Sequence, residues 1–75
     1  MRVLGIDPGL RLTGFGCVEG PERIAAAPVM VDAGVIRLVR GSGPTPEIAP
    51  RLVELERDLV EVIERNQPEL IAVEA

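Results

Sequence analysis

Two acidic residues stand where short apolar runs end. Residues 2–6, Arg-Val-Leu-Gly-Ile, lead into Asp7, and residues 70–73, Leu-Ile-Ala-Val, lead into Glu74. A carboxylate at the mouth of a buried strand is costly unless something uses its charge. Each acid alone has an ordinary explanation: Asp7 before Pro8-Gly9 caps a turn, and Glu74 ends a strand in solvent. Together they are a set of hard oxygen ligands. With no histidine and one cysteine in the chain, that set suits Mg²⁺ or Mn²⁺ and argues against zinc.

Whether the two acids meet depends on what lies between them. Residues 2–6 are too short for a helix before Pro8 and read as a strand. Pro8-Gly9 is turn chemistry. Residues 12–19, Leu-Thr-Gly-Phe-Gly-Cys-Val-Glu, form a second extended run closed by Gly20-Pro21, and residues 29–39 a third, rich in valine and isoleucine. Short turns between them favour an antiparallel meander. Residues 40–46, Arg-Gly-Ser-Gly-Pro-Thr-Pro, are a connector. A helix follows with Pro50 at its first position and Ile48 and Val53 as a hydrophobic staple. Leu52, Leu55, Leu59, Val62 and Ile63 recur at spacings of three and four, widened by Val53 and Val60. Glu56 falls inside that apolar arc, and Glu61 pairs with Arg65 one turn on. Asn66-Gln67-Pro68 ends the helix. The continuous apolar run 70–73 then predicts a strand covered on both faces.

A strand, a crossover helix and a strand make a parallel pair. If residues 2–6 and 70–73 are neighbours ~4.8 Å apart, Asp7 and Glu74 emerge side by side at the C-terminal edge, where open α/β sheets place their ligands. Two carboxylates ~5 Å apart repel by roughly 3 kcal/mol at an effective dielectric near 20. A proton, an arginine or a divalent cation must relieve that.

Composition narrows the class. The chain has 75 residues and a net charge of −4, from twelve acids against eight basic residues. All eight are arginine, and this balance is not that of a free-standing basic nucleic-acid binder. Cys17 can form no intrachain disulfide and is expected as a buried strand residue. No apolar run approaches the length of a membrane span and there is no signal segment, so no membrane partner is expected and the location is expected to be cytoplasmic.

The stretch Leu4–Gly16, with Gly5-Ile6-Asp7-Pro8-Gly9 followed by Thr13-Gly14-Phe15-Gly16, resembles the N-terminal signature of the RuvC family of Holliday-junction resolvases. Residues 34–36, Gly-Val-Ile, and 67–74, Gln-Pro-Glu-Leu-Ile-Ala-Val-Glu, fit the same pattern in order and spacing. The resemblance implies an RNase H-like α/β fold: antiparallel strands one to three, a helix, and a strand parallel to the first. It implies a crossover junction endodeoxyribonuclease, a hydrolase that cuts four-way DNA junctions in recombination and repair. Such an enzyme uses Mg²⁺, with Mn²⁺ possible, at two ions per site. It acts as a homodimer alongside the RuvA–RuvB branch-migration complex, in the bacterial cytoplasm near the nucleoid.

Asp7 matches the first of the family's four clustered ligands and Glu74 the second. Both are expected as catalytic and metal-binding residues, and Arg11 as a DNA contact. The other two ligands would lie beyond Ala75. Residues 1–75 are therefore expected to be the N-terminal part of a single nuclease domain and inactive alone. Gly9, Gly14 and Gly16 serve either close approach of metal or DNA, or tight strand and turn packing. Phe15, the sole aromatic, is expected in the core. Two other readings remain: a related nuclease acting on RNA, and the phosphate loop of an actin-like ATPase. The latter would want hydroxyl residues in the turn, and residues 8–11 have none.

Overall fold

Alternating side chains in the first two runs decide which face of the sheet is buried. The computed structural model describes residues 1–20 and 27–74; Pro21 of the expected closing turn lies outside them. Its elements are β1 (Arg2–Asp7), β2 (Leu12–Glu19), β3 (Val29–Arg37), α1 (Ile48–Asn66) and β4 (Leu70–Val73). The sheet order is β3-β2-β1-β4, with β1 antiparallel to β2, β2 antiparallel to β3, and β1 parallel to β4.

Leu4 pairs with Cys17 and Ile6 with Phe15, so these four side chains share one face. Leu4, Ile6 and Cys17 are buried there with Val62 of α1, and Phe15, Leu59 and Ile63 pack against them. Each fully buried aliphatic side chain contributes about 1.5–3 kcal/mol, and Leu4→Ala would cost about 2–5 kcal/mol. Cys17 and Phe15 thus hold the core places expected of them. The intervening residues, Val3, Gly5 and Asp7, point to the opposite face.

Helix α1 differs from its sequence reading at its start and ends where Asn66-Gln67-Pro68 predicts. It begins at Ile48 with Glu47 as N-cap, which puts Pro50 at the third helical position. Proline is tolerated there because the first-turn amides have no intrahelical acceptor. The staple does not form: Ile48 and Val53 are 53% and 68% exposed. Val60 and Leu52 are also exposed, so the buried stripe is narrower than predicted. Glu56 is exposed and sits in no gap of the core. At the other end Gln67 adopts the left-handed conformation and its amide donates to the Ile63 carbonyl at 2.8 Å, with Pro68 preventing continuation.

Arg65 pairs not with Glu61 but with Asp32 of β3. Its Nε and Nη2 donate to Asp32 Oδ2 at 3.0 and 2.8 Å, and Asn66 Nδ2 donates to the same oxygen at 2.7 Å. Asn66 is buried and also donates to the Val62 carbonyl at 2.9 Å. The Arg65 guanidinium stands 5.9 Å from the Phe15 ring centroid. A tertiary carboxylate that accepts from two partners outcompetes a solvated pair within one helix. This latch fixes the last turn of α1 to β3 and was not legible from the helix alone.

Strand β4 is exposed at all four positions, contrary to the expectation of cover on both faces. Val29, Met30 and Val35 of β3 are likewise exposed. One helix covers one face of the sheet, and nothing among the described residues covers the other. No described helix is long and apolar enough to cross a membrane.

Two outcomes follow from this packing. The 75-residue chain on its own should bind hydrophobic dyes and lack a sharp transition; a cooperative melt of the monomer above about 50 °C would contradict it. The latch should also be sensitive to acid. Donation from Asn66 first, and then from Arg65, holds the Asp32 carboxyl below its ordinary pKa. Its stabilisation is therefore complete above the unfolded-state value and lost as pH falls through the lower folded value. Asp32→Ala should reduce helical circular dichroism at pH 7, and the variant and parent curves should begin to approach each other below about pH 4 and meet once Asp32 is protonated in the folded state. Curves that stay apart in acid would show that the latch does not depend on this charge.

Candidate metal and nucleic-acid site

The parallel ladder between β1 and β4 runs Val3–Leu70, Leu4–Ile71, Gly5–Ala72 and Ile6–Val73. One further rung extends it: the Glu74 amide donates to the Ile6 carbonyl at 2.9 Å. Asp7 and Glu74 consequently stand next in register on adjacent strands, with backbones about 4.8 Å apart. Side chains alternate along both strands, so both carboxylates leave on the face opposite α1. Both are exposed. The pairing inferred from sequence is thus present in the fold.

Local structure holds Asp7 rigidly. It is the last residue of β1 and pairs with Gly14 of β2, and Pro8 biases it to extended backbone. Beyond it the turn is locked by Thr13, whose buried hydroxyl accepts from the Gly9 amide and donates to the Gly9 carbonyl, each at 3.1 Å. Gly9 is obligatory there, since a Cβ would collide with the Leu12 carbonyl oxygen.

The acids overlook a shallow trough floored by Gly5, Gly14, Gly16 and Ala72. Internal packing does not demand glycine at these positions. A Cβ on Gly5, Gly14 or Gly16 would meet only ordinary contacts, at 3.6, 4.0 and 3.7 Å. Gly34 is different: a Cβ would come within 2.8 Å of the Phe15 ring. Turn packing therefore explains Gly9, whereas Gly14 and Gly16 leave the sheet bare beside the acids. Gly5 and Ala72 belong to the same floor; their signal was the register, which a single strand does not reveal.

Neither Asp7 nor Glu74 has an ion-pair partner among the described residues. The arginine that could relieve their repulsion is not at hand. Nor do three metal-ligating side chains come together among the described residues. Two exposed carboxylates and no nitrogen or sulfur donor still fit a hard cation, because Mg²⁺ binds through one or two carboxylates and keeps waters or phosphate oxygens for its other positions. Cys17 is buried on the opposite face. Arg11, expected as a DNA contact, lines a separate depression with Gly9, Leu10, Leu12, Arg37 and Val39.

Known proteins resemble this chain along nearly its whole length. Residues 3–75 match the family described as crossover junction endodeoxyribonuclease RuvC. The crossover junction endodeoxyribonuclease RuvC of Synechococcus sp. strain RCC307 is 42% identical over 74 residues, 99% of this chain and 45% of that protein. Its counterpart in Methylobacillus flagellatus is 44% identical over 75 residues, 97% of this chain and 39% of that protein. The Thermus thermophilus RuvC structure matches with a TM-score of 0.83 at 29% identity, covering 100% of this chain and 43% of that one. T. thermophilus RuvC in complex with Holliday junction substrate matches with a TM-score of 0.80 over 97% of this chain and 42% of that one, again at 29% identity. The chain spans less than half the length of these relatives. The mixed sheet with β1 parallel to β4 is the RNase H-like arrangement expected from the sequence.

The glycines separate packing from site. In a chain of the relatives' length, Gly34→Ala should lower stability by about 1–3 kcal/mol through overpacking against Phe15. Gly14→Ala and Gly16→Ala should melt within a degree or two of the parent, since their Cβ atoms have room in the sheet. If Gly16→Ala melts as low as Gly34→Ala, the trough is a packing surface and not an approach to the acids.

Proposed function

Because the chain belongs to the RuvC family of crossover junction endodeoxyribonucleases, we propose that it is the N-terminal part of a single nuclease domain that resolves Holliday junctions by metal-dependent hydrolysis of DNA phosphodiesters. One observation carries this reading: the β1–β4 register sets Asp7 and Glu74 side by side at the sheet's C-terminal edge, on its open face, without a cationic partner among the described residues. The site residues are Asp7 and Glu74, as catalytic metal ligands, and Arg11 as a DNA contact.

Asp7 and Glu74 would hold the divalent ions, Mg²⁺ or Mn²⁺ and two per site by the family resemblance. When bound, such ions supply a nucleophilic water at neutral pH and Lewis-acid stabilisation of the charge developing on the phosphate. The protein's own contribution is placement. Asp7 is fixed from one side by the Gly14 pairing and from the other by the Thr13–Gly9 turn. Glu74 is fixed by the hydrogen bond that its amide donates to the Ile6 carbonyl. The floor of Gly5 and Gly14 would let a sugar-phosphate backbone come close to both acids, with the Met30 side chain beside Gly16. Rigid placement of this kind is what keeps a reacting group within the narrow range that catalysis tolerates.

Two further ligands would come from outside residues 1–75, so these residues alone should not cut. A second copy of the protein and the RuvA–RuvB complex are the partners the family resemblance supplies, and a cytoplasmic, nucleoid-associated location goes with them. The alternative of an ATPase phosphate loop gains no support, since residues 8–11 offer a phosphate no hydroxyl, and Thr13-Gly14-Phe15-Gly16 favours the RuvC type over an RNA-directed nuclease.

Substitution of the two acids in a chain of full length tests the proposal. Asp7→Asn and Glu74→Gln should each reduce junction cleavage by more than about 100-fold, a loss that removal of mere outer-shell partners can already approach. Binding should stay within severalfold, because affinity for DNA comes mainly from cationic contacts to phosphate. In chelator each variant should be as stable as the parent or up to ~2 kcal/mol more so, since one of two repelling charges is gone. A turn-capping role for Asp7 demands the reverse, a loss of about 1 kcal/mol with cleavage nearly intact. Junction cleavage and chelator melts on the two variants distinguish the cases.

A further inference from the structure

We propose that Arg11 and Arg37 together form a phosphate-binding subsite that holds the DNA strand a few nucleotides from the phosphate attacked at Asp7 and Glu74. This inference rests on the nuclease reading above and assigns Arg37 a role within it. Its starting point is the fate of the arginines. Arg2, Arg40, Arg57 and Arg65 each contact a carboxylate, of Glu19, Glu54, Asp58 and Asp32 respectively. Arg51 donates to the carbonyls of Glu47 and Leu10. Among the described residues only Arg11 and Arg37 contact no acceptor, although acids outnumber basic residues in the chain.

These two are also neighbours. They line one depression with Gly9, Leu10, Leu12 and Val39. The Leu38 amide donates to the Arg11 carbonyl at 2.9 Å, tying the end of the β1–β2 turn to the end of β3. From the other side Arg51 Nη1 donates to the Leu10 carbonyl at 3.0 Å, so α1 braces the same turn. Two arginines that line one depression with no acid contact among the described residues offer a phosphate donors from each, and a phosphate would offset their like charge.

Position links this pair to the acids. Asp7 pairs with Gly14, and Arg37 with Leu12, two residues further along β2. Leu12 and Gly14 share a face, so Arg37 and Asp7 emerge on the same side of the sheet. Two strand spacings across and two residues along put their backbones roughly 12 Å apart. Phosphates of one strand succeed each other at about 3.4 Å of helical rise, so a few nucleotides cover that gap. A strand crossing the glycine trough toward β3 would pass from the acids to the arginines. Arg11 and Arg37 thus act as binding and positioning residues, and the acids do the chemistry.

The salt dependence of binding tests this in a chain of full length, with a synthetic four-way junction and, separately, a duplex of one arm's sequence. Each lost phosphate contact lowers the slope of log affinity against log salt by about 0.9. Arg11→Gln and Arg37→Gln should each weaken junction binding severalfold and reduce the slope by about that amount. The double variant should reduce it by about twice as much. Arg37→Lys should restore the slope, because the charge is kept, and Arg57→Gln on the helix should leave it at the parental value. The cleavage rate at saturating junction should fall far less than in Asp7→Asn. Parental slopes in both single variants and the double overturn the subsite while leaving the nuclease reading intact. If the parent cuts no junction but the arginine variants still flatten the slope on duplex, the nuclease reading fails and the subsite stands. If the parent binds neither DNA, both are overturned.

Discussion

The Glu74 amide donates to the Ile6 carbonyl, and this last rung of the parallel ladder sets everything at the site. Parallel strands need a long crossover, and α1 supplies it while covering the face where Leu4, Ile6 and Cys17 lie. The period-two alternation then leaves no freedom in the outcome. A slip of β4 by one residue would send Glu74 to the face opposite Asp7 and separate the two carboxylates. Backbone hydrogen bonds at both ends of β4, from the Glu69 amide to the Arg2 carbonyl and from the Glu74 amide to the Ile6 carbonyl, hold that register, since β4 itself buries no side chain.

That division separates stability from chemistry. On the covered face sit the apolar contacts and the Asp32–Asn66–Arg65 latch, whose carboxylate is satisfied by two side chains. On the open face sit two acids without cations and a floor of small residues. Charge is neutralised where the fold is held and left unneutralised where a ligand must come. A site of this kind is preorganised by backbone hydrogen bonds, so a cation need not gather its first ligands from a flexible loop.

Much of this was legible in the sequence, for identifiable reasons. The short apolar run 2–6 cut off by Pro8, the extended run 12–19, the Pro8-Gly9 turn and the three-and-four spacing of Leu55, Leu59, Val62 and Ile63 each reflect geometry within one element. The parallel pairing followed from handedness and connection length. Errors arose where elements compete or meet. Pro50 is compatible with any of the first-turn positions, so it could not fix the start of α1. Arg65 had a local partner in Glu61, and only the fold reveals that Asp32 is the better one. The apolar run 70–73 reports what the strand is suited to pack against, not that such cover lies within these residues. Arg37 carried no signal of its own, because its significance depends on the register with Leu12 and on a lack of acids around it.

Net charge is a poor guide to where a phosphate would go. The chain is acidic as a whole, yet most of its described arginines are committed to carboxylates or carbonyls, and the two that remain lie at one end of the sheet. The field that a DNA strand meets is local, since charges more than about 8–10 Å apart in solvent are largely screened at physiological salt. Near Asp7 and Glu74 that field is repulsive to phosphate until a divalent cation neutralises the two carboxylates; near Arg11 and Arg37 it is attractive throughout. Binding and chemistry are thereby placed under different control. On the proposed reading phosphate would dock on the arginines without metal, while the position beside the acids would stay electrostatically closed until they are occupied. An acidic sheet can serve a polyanion on these terms because its two signs of charge are separated along one edge and not averaged over the surface.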